Sequence, residues 1–461
     1  MHKDRAKRAL SMTQGPLLKN ILLFSLPLMF SNVLQVLFNM SDVAVVGRFG
    51  SAGALGAVGS TTTYVALFTG LLIGMGTGIN AVMAQRLGAE DEEGSARAAH
   101  TALIVSAAFG LLVAALAMGL ARPVLLLMGT KPQFLEGALL YVYIYFTGAA
   151  GTALYNCGNG IFSADGDTRK PLLFLTAAGV TNILLNLFFV IVCNMSVAGV
   201  ALASTISQWL SCALILTALA RARRAYRLRL SRLRIDPAFA KSVLATGIPA
   251  GIQNAIFQLA NLFIQAGINT FDGTVVEGNS AAVNADTIVF ELMAAFYTGC
   301  TSFIGQNFGA GKAERILPCY FVSLLYSFGS GLVCGLLLFA CAGAFLSVFT
   351  GEAAVIEAGR QRLAVMCFSY ALSAFMDNTI AAARGLGKTV VPTIVVVLGS
   401  CVFRVFWVYC IFPLAGTTTM LYLLYPVSWT ITAAAEIAYF AFAYRRAKRV
   451  LQPQGKGEIK E

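Results

Sequence analysis

Charge is scarce in this chain of 461 residues. Asp, Glu, Lys and Arg make up 12% of it, against 58% hydrophobic residues, and the mean hydropathy is +0.75. A soluble domain carries about 25% charged residues, so this balance excludes one and points to a membrane as the main solvent. Histidine is nearly missing: only His2 and His100 occur, with no His-Glu-x-x-His pair, and no Gly-x-Ser-x-Gly is present either. Gly387-Lys388-Thr389 has the look of a phosphate loop, but Ala382 stands where such a loop needs glycine. No enzyme and no cofactor are therefore expected, and transport would have to draw on an ion gradient. The ten cysteines contain no Cys-x-x-Cys pair and sit mostly in apolar segments. They read as small helix residues, with neither disulfides nor a metal centre.

What the chain has is long apolar runs. A spanning helix needs about 20 such residues, and twelve candidates fall at about 17–46, 55–84, 98–120, 136–163, 171–193, 197–219, 240–269, 281–304, 317–342, 358–383, 390–412 and 418–443. With the N-terminus in the cytoplasm, 27 of the 33 Lys and Arg lie on that side. Five lie opposite (Arg48, Arg122, Lys131, Arg360 and Arg362), and Arg404 is inside a segment. That asymmetry supports an even helix count with both termini cytoplasmic. The basic run Arg221 to Arg234 reads as a cytoplasmic linker facing anionic lipid rather than as a nucleic-acid arm. The basic start precedes an apolar run too long for a cleavable signal, and Met12 is an alternative start to Met1. Short tails favour a bacterial plasma (inner) membrane, and a monomer is expected.

The chain is also built twice. Pro27 and Pro249, Asn32 and Asn254, and Asn39 and Asn261 are each 222 residues apart. Gln85-Arg-Leu-Gly-Ala89 matches Gln306-Asn-Phe-Gly-Ala310 at an offset of 221, and Gly166, Thr168 and Pro171 match Gly387, Thr389 and Pro392. Six helices per copy give both copies one orientation, a parallel repeat. The expected fold is an all-α membrane protein of twelve transmembrane helices in two pseudo-symmetric six-helix bundles. Its parts are an N-tail at 1–16, a lobe at 17–219, the basic linker at 220–239, a second lobe at 240–443 and a C-tail at 444–461. Gly70, Gly74 and Gly78, four apart, read as a packing face.

Polar residues inside the apolar runs mark a site. Asn32, Gln35, Asn39 and Asp42 keep to one arc of the first helix, and Asn254, Gln258, Asn261 and Gln265 to one arc of the seventh. A charge at the bilayer centre costs about 2.5–3.5 kcal/mol, so it needs a partner, a cavity or a proton. Asp42 is the leading candidate for a cation or proton site. The alternative is a helix-end acid close to Arg48. Asp286, Glu291, Asp377 and Glu436 are candidates for a cavity, with interhelical hydrogen bonding as the alternative. Arg404 reads as one half of an ion pair with Asp377 or Glu436.

These residues carry a resemblance. Leu26-Pro27, Leu34-Gln35, Asn39-Met-Ser-Asp42 and Val45-Val-Gly47-Arg-Phe49 are similar to the first helix of the MATE family of multidrug and toxic-compound exporters. Phe303-Ile-Gly-Gln-Asn-Phe-Gly-Ala-Gly-Lys312 resembles the family's loop in the second half. Gly166-Asp-Thr-Arg-Lys-Pro171 and Ala383-Arg-Gly-Leu-Gly-Lys-Thr389 resemble its paired loops. The resemblance implies an antiporter that expels small organic cations while H+ or Na+ enters, coupled at the acid that matches Asp42. Asp42 would ligate a metal only if that ion is Na+. The resemblance also implies ion-coupling roles for Asn182, Asn186 and Ser204, and cavity roles for Asn156 and Asn159. The family's fifth helix carries Asn-x-x-x-Asp where this chain has Asn182-Ile-Leu-Leu-Asn186, so the second acid is an amide. The loss of one carboxylate favours H+ over Na+ only slightly. Two rivals are a flippase for a lipid-linked oligosaccharide, which would want an Arg-lined and Lys-lined cavity where only Arg404 is intramembrane, and an ion channel.

Overall fold

The computed structural model describes residues 10–51 and 53–451. Among these the regular structure is entirely helical, as an apolar solvent demands of any chain that does not close a barrel. The first repeat runs through α1 (Leu17–Phe49), α2 (Ala54–Gly88), α3 (Glu92–Leu127), α4 (Pro132–Phe146), α5 (Ala149–Asp165), α6 (Arg169–Leu187) with a π-helical turn at Phe188–Val192, and α7 (Ser196–Ala220). The second runs through α8 (Pro237–Ile268), α9 (Gly273–Gly309), α10 (Ala313–Ala340), the short α11 (Ala342–Leu346) and α12 (Ala353–Gly385). Next comes one span made of α13 (Val390–Val396), α14 (Phe403–Phe406) and α15 (Phe412–Ala415) joined by π-helical stretches, then the short α16 (Thr418–Tyr422) and α17 (Leu424–Leu451). Asp91 and Asp272 start α3 and α9 by accepting hydrogen bonds from Gly94 N and Val275 N, which relieves two of the unpaired donors at a helix start. Gly166 and Gly387, the glycines of the repeated loop, have φ of 88° and 74°. Only glycine adopts that region freely, which explains why the loop repeats with the fold.

Ten spans among the described residues are long and apolar enough to cross a membrane, and α4 with α5, bent by 47° at their junction, make an eleventh. The twelfth expected span coincides with α16 and α17. It falls short of the same hydropathy because Ser428, Thr432 and Glu436 lie along one face of α17. Leu111, Leu112, Leu116 and Leu120 on α3 are exposed, as suits a helix face solvated by lipid chains. Residues 444–451, expected in the C-tail, continue α17. The remainder of that tail, residues 1–9 and the candidate start at Met1 lie outside the described residues, while Met12 is buried.

The chain forms two compact units. One holds residues 30–87 and 91–258, the other residues 10–29, 88–90 and 259–451. The divisions fall inside α1 and α8, not in the linker. In the first unit the start of α8 lies against α2. A Cβ added to Gly74 would sit 2.2 Å from Gly251 N, and one on Gly78 2.5 Å from Gly247 Cα. In the second unit Ser25 Oγ of α1 donates to Ala295 O of α9 at 3.4 Å, and Phe24 packs edge-on against Phe303 at 5.6 Å. A Cβ on Gly299 would meet Ser25 Oγ at 3.2 Å. Gly78 and Gly299 correspond in the repeat, as do Gly247 and Ser25, so the same contact is made in each unit. The glycine face expected on α2 is therefore used for backbone contact.

The basic linker is docked on the first unit. Arg224 Nε pairs with Asp165 Oδ2 at 3.3 Å, Tyr226 Oη donates to the same oxygen at 2.9 Å, and Arg229 N donates to His100 Nε2 at 3.1 Å. Burial and the Asp165 carboxylate push the Tyr226 phenol up, which keeps it a neutral donor. Tyr226 and Ala222 belong to a core shared with Phe162, Phe239 and Val243.

Gly74→Ala should destabilise the detergent-solubilised protein by about 1–3 kcal/mol, because overpacking a backbone contact leaves no side chain to give way. Gly119→Ala, whose new Cβ meets nothing within 4 Å, should leave stability unchanged. Thermal loss of the monodisperse species measures both, and equal behaviour of the two variants would disprove the contact.

Candidate functional site

Four of the expected coupling residues meet in the first unit. Asp42 lies seven residues before the end of α1 and is 9% exposed. Asn182 and Asn186 are one turn apart on α6, just before its π-helical turn, and Ser204 is on α7. Asn186 Nδ2 donates to Asp42 Oδ1 and also to Asn182 Oδ1 at 3.2 Å. Ser204 Oγ donates to Asp42 Oδ2 at 3.0 Å and accepts from Asn182 Nδ2 at 3.4 Å. Both carboxylate oxygens thus accept from neutral donors, which orient the charge without cancelling it. Asn186 Oδ1 is buried without a hydrogen-bond partner among the described residues. Together with Asn182 Oδ1 and Ser204 Oγ it gives the site oxygen acceptors around a single acid.

Two neighbours escaped the sequence reading. Tyr141 and Tyr145 on α4 stack at 5.6 Å. Tyr141 lies within electrostatic reach of Ser204 and Asp42, and Tyr145 within reach of Gln208 and Asp42. Their spacing, four apart in Tyr141-Val-Tyr-Ile-Tyr145, was the available signal.

The other candidates disperse. On α1, Asn32 is half-buried and Gln35 and Asn39 are exposed, so Asp42 is the buried member of its stripe. On α5, Asn156 and Asn159 are half-buried, and Asn159 Oδ1 accepts from Ser163 Oγ at 3.4 Å. On α8, Asn254 Nδ2 donates to Gly70 O of α2 at 3.2 Å, Gln258 is half-buried, Asn261 is exposed, and Gln265 bonds Asn269 at 2.9 Å. Asn254 is occupied in helix packing.

The second unit corrects one expectation, that for Asp286. Arg362, counted outside the membrane, lies well inside α12 and is 1% exposed. It pairs with Asp286, donates to Asn279 Oδ1 at 2.7 Å, and lies over the rings of Tyr422 and Tyr425. Asp286 also accepts from Tyr370 Oη. It is therefore one half of a packed ion pair and not an open cavity acid. Arg404 donates to Ser428 Oγ at 3.1 Å and lies over Tyr425 and Trp429 at 4.9 and 5.8 Å. Asp377 is half-buried and within electrostatic reach of Arg404 and Arg384.

Two apolar repeats and a buried acid held by neutral donors are parts that suit a membrane carrier. The MatE family model matches residues 27–188 and 249–410, one stretch in each repeat. A probable multidrug resistance protein, YpnP of Bacillus subtilis, is 27% identical over 382 residues, 82% of this chain and 85% of its own. An FAD transporter of Shewanella oneidensis is 25% identical over 318 residues, 68% of this chain and 70% of its own. A solved structure of a MOP superfamily transporter from Pyrococcus furiosus superposes with a TM-score of 0.89 at 22% identity, covering 96% of this chain and 99% of that one. The chain belongs to the MatE family: it is a multi-pass membrane transporter of the twelve-helix, two-lobe fold and not an enzyme.

Asp286→Ala should destabilise the protein by about 3–5 kcal/mol by leaving Arg362 charged and unpaired in an apolar interior. Asp286→Ala with Arg362→Met should recover most of that loss. Thermal unfolding of the three proteins is the measurement. A stable Asp286→Ala protein with impaired transport would instead return Asp286 to the binding cavity.

Proposed function

We propose that the chain exports small organic cations in exchange for H+, with Asp42 as the coupling carboxylate. The observation that carries this reading is the buried Asp42 carboxylate, oriented by Asn186 and Ser204 and balanced by neither. A charge held this way is available to a proton or to a cation, and the two compete. Protonation from outside cancels the charge, weakens the hold on an organic cation and lets it leave. Asn186 Oδ1, which has no partner, can accept the new O–H once its amide turns over. Loss of the proton inward restores the carboxylate and the attraction for the next cation. Each elementary charge moved through 100 mV contributes about 2.3 kcal/mol. Apolar and aromatic walls supply the rest of the binding, with loose specificity.

The names of relatives as multidrug resistance proteins support drug export. The Lys and Arg asymmetry supports cytoplasmic termini in a bacterial plasma membrane, and a monomer suffices because Asp42 and its partners belong to one unit. Na+ is the alternative ion, with Asp42, Asn182, Asn186 and Ser204 as oxygen ligands. An anionic substrate is a second reading, favoured by the relative named an FAD transporter.

Protein in liposomes, given a pH gradient or a Na+ gradient separately, should drive a fluorescent organic cation under the pH gradient. Asp42→Asn should abolish that movement. Movement under Na+ alone would replace the ion, and flavin dinucleotide movement without cation movement would replace the substrate. Export by Asp42→Asn at the wild-type rate would overturn the scheme.

A further inference from the structure

Glu436 is the buried carboxyl that the coupling scheme does not use. It lies on α17 of the second unit with no exposed surface, and among the described residues neither carboxyl oxygen has a hydrogen-bond partner. Its surroundings are polar and ordered. Ser428, Thr432 and Glu436 follow one another at four-residue spacing, which puts them on one face of α17. Arg404 Nε donates to Ser428 Oγ at 3.1 Å, Thr432 Oγ1 donates to Ser428 O at 2.7 Å, and Ser400 Oγ meets Thr432 Oγ1 at 3.0 Å. Each hydroxyl in this row is already committed, so none is left to serve Glu436.

The charged groups that face Glu436 from the packed helices are Arg384 and Asp377, both on α12, with Tyr439 on its own helix. Arg384 acts on both acids, and Arg404 acts on Asp377. Attraction from Arg384 is thus divided, and it does not amount to an ion pair with Glu436. An ionised carboxylate buried with no direct partner is strongly disfavoured, and a proton removes the charge without needing space. Arg384, which acts on Glu436, would repel a metal ion there, whereas a proton neutralises the acid itself.

We propose that Glu436 is a second proton-carrying carboxyl of this transporter. It holds a proton in the arrangement described and exchanges it past Asp377 and Arg384 during the cycle, so that two protons accompany each substrate. The exchange is a simple transfer: a hydronium ion gives a proton to a Glu436 oxygen and leaves as water, and the same oxygen later returns the proton to a water as hydronium. The inference rests on the reading of the chain as a proton-coupled antiporter.

Two measurements test it on the full chain in liposomes. Infrared difference spectra of wild type minus Glu436→Gln at neutral pH should contain the C=O stretch of a protonated carboxylic acid, displaced in heavy water. Carboxylate bands in its place would overturn the proposal. Opposed pH and substrate gradients should balance at two protons per organic cation in wild type and in Glu436→Asp, and at one in Glu436→Gln. A ratio unchanged in Glu436→Gln would also overturn it. If no pH gradient drives transport even in wild type, the antiport reading has failed. The infrared band still decides whether Glu436 holds a proton, and Glu436→Asp, which should shift the band without removing it, serves as the comparison where the Gln variant does not fold.

Discussion

The cost of placing charge in hydrocarbon governs this molecule. Every backbone polar group must be satisfied within its own helix, and every ionisable side chain needs a local arrangement that makes its burial tolerable. The structure holds three such arrangements. Asp286 is neutralised by Arg362 and further held by Tyr370. Asp42 is oriented by an amide and a hydroxyl. Among the described residues Glu436 has neither a counter-ion in contact nor a donor. A pair of fixed opposite charges is suited to holding helices in register. An acid with neutral partners, or with none, is suited to binding something and letting it go.

The same constraint explains why small residues matter as much as polar ones. Between helices in lipid there is little hydrophobic driving force, so close backbone approach and dispersion carry the association. Gly74 and Gly78 let the start of α8 lie directly on α2, and the corresponding surface of α9 receives Ser25 of α1. Those contacts determine which residues belong to which compact unit, and they draw the boundaries inside two helices.

Much of this was readable in the chain. The twelve spans follow from apolar run length, and the doubled plan from motifs repeated at one offset. The link from Asp42 to Asn182, Asn186 and Ser204 came only through family resemblance, because sequence spacing says nothing about which faces of three separate helices meet. Asp286 and Arg362 were both visible, yet their pairing depends on the rotation of α9 and α12 about their own axes. Tyr141 and Tyr145 were hidden for a similar reason: aromatic residues are ordinary in membrane helices until one faces an acid. The four-residue spacing of Ser428, Thr432 and Glu436 could have been noticed, since it keeps one helical face, but its isolation from donors could not.

The shared contact between each repeat's second helix and the other repeat's leading helix bears on descent. A lone six-helix polypeptide of this design would leave the glycine surface of its second helix uncovered, and could bury it only by borrowing the first helical turns of another copy. That is the geometry of segment exchange between identical subunits. A duplicated gene encoding both copies in tandem would make the exchange permanent, and would then free each leading helix to diverge. Here one carries an acid at position 42 while its counterpart carries only amides, in Gln258, Asn261 and Gln265.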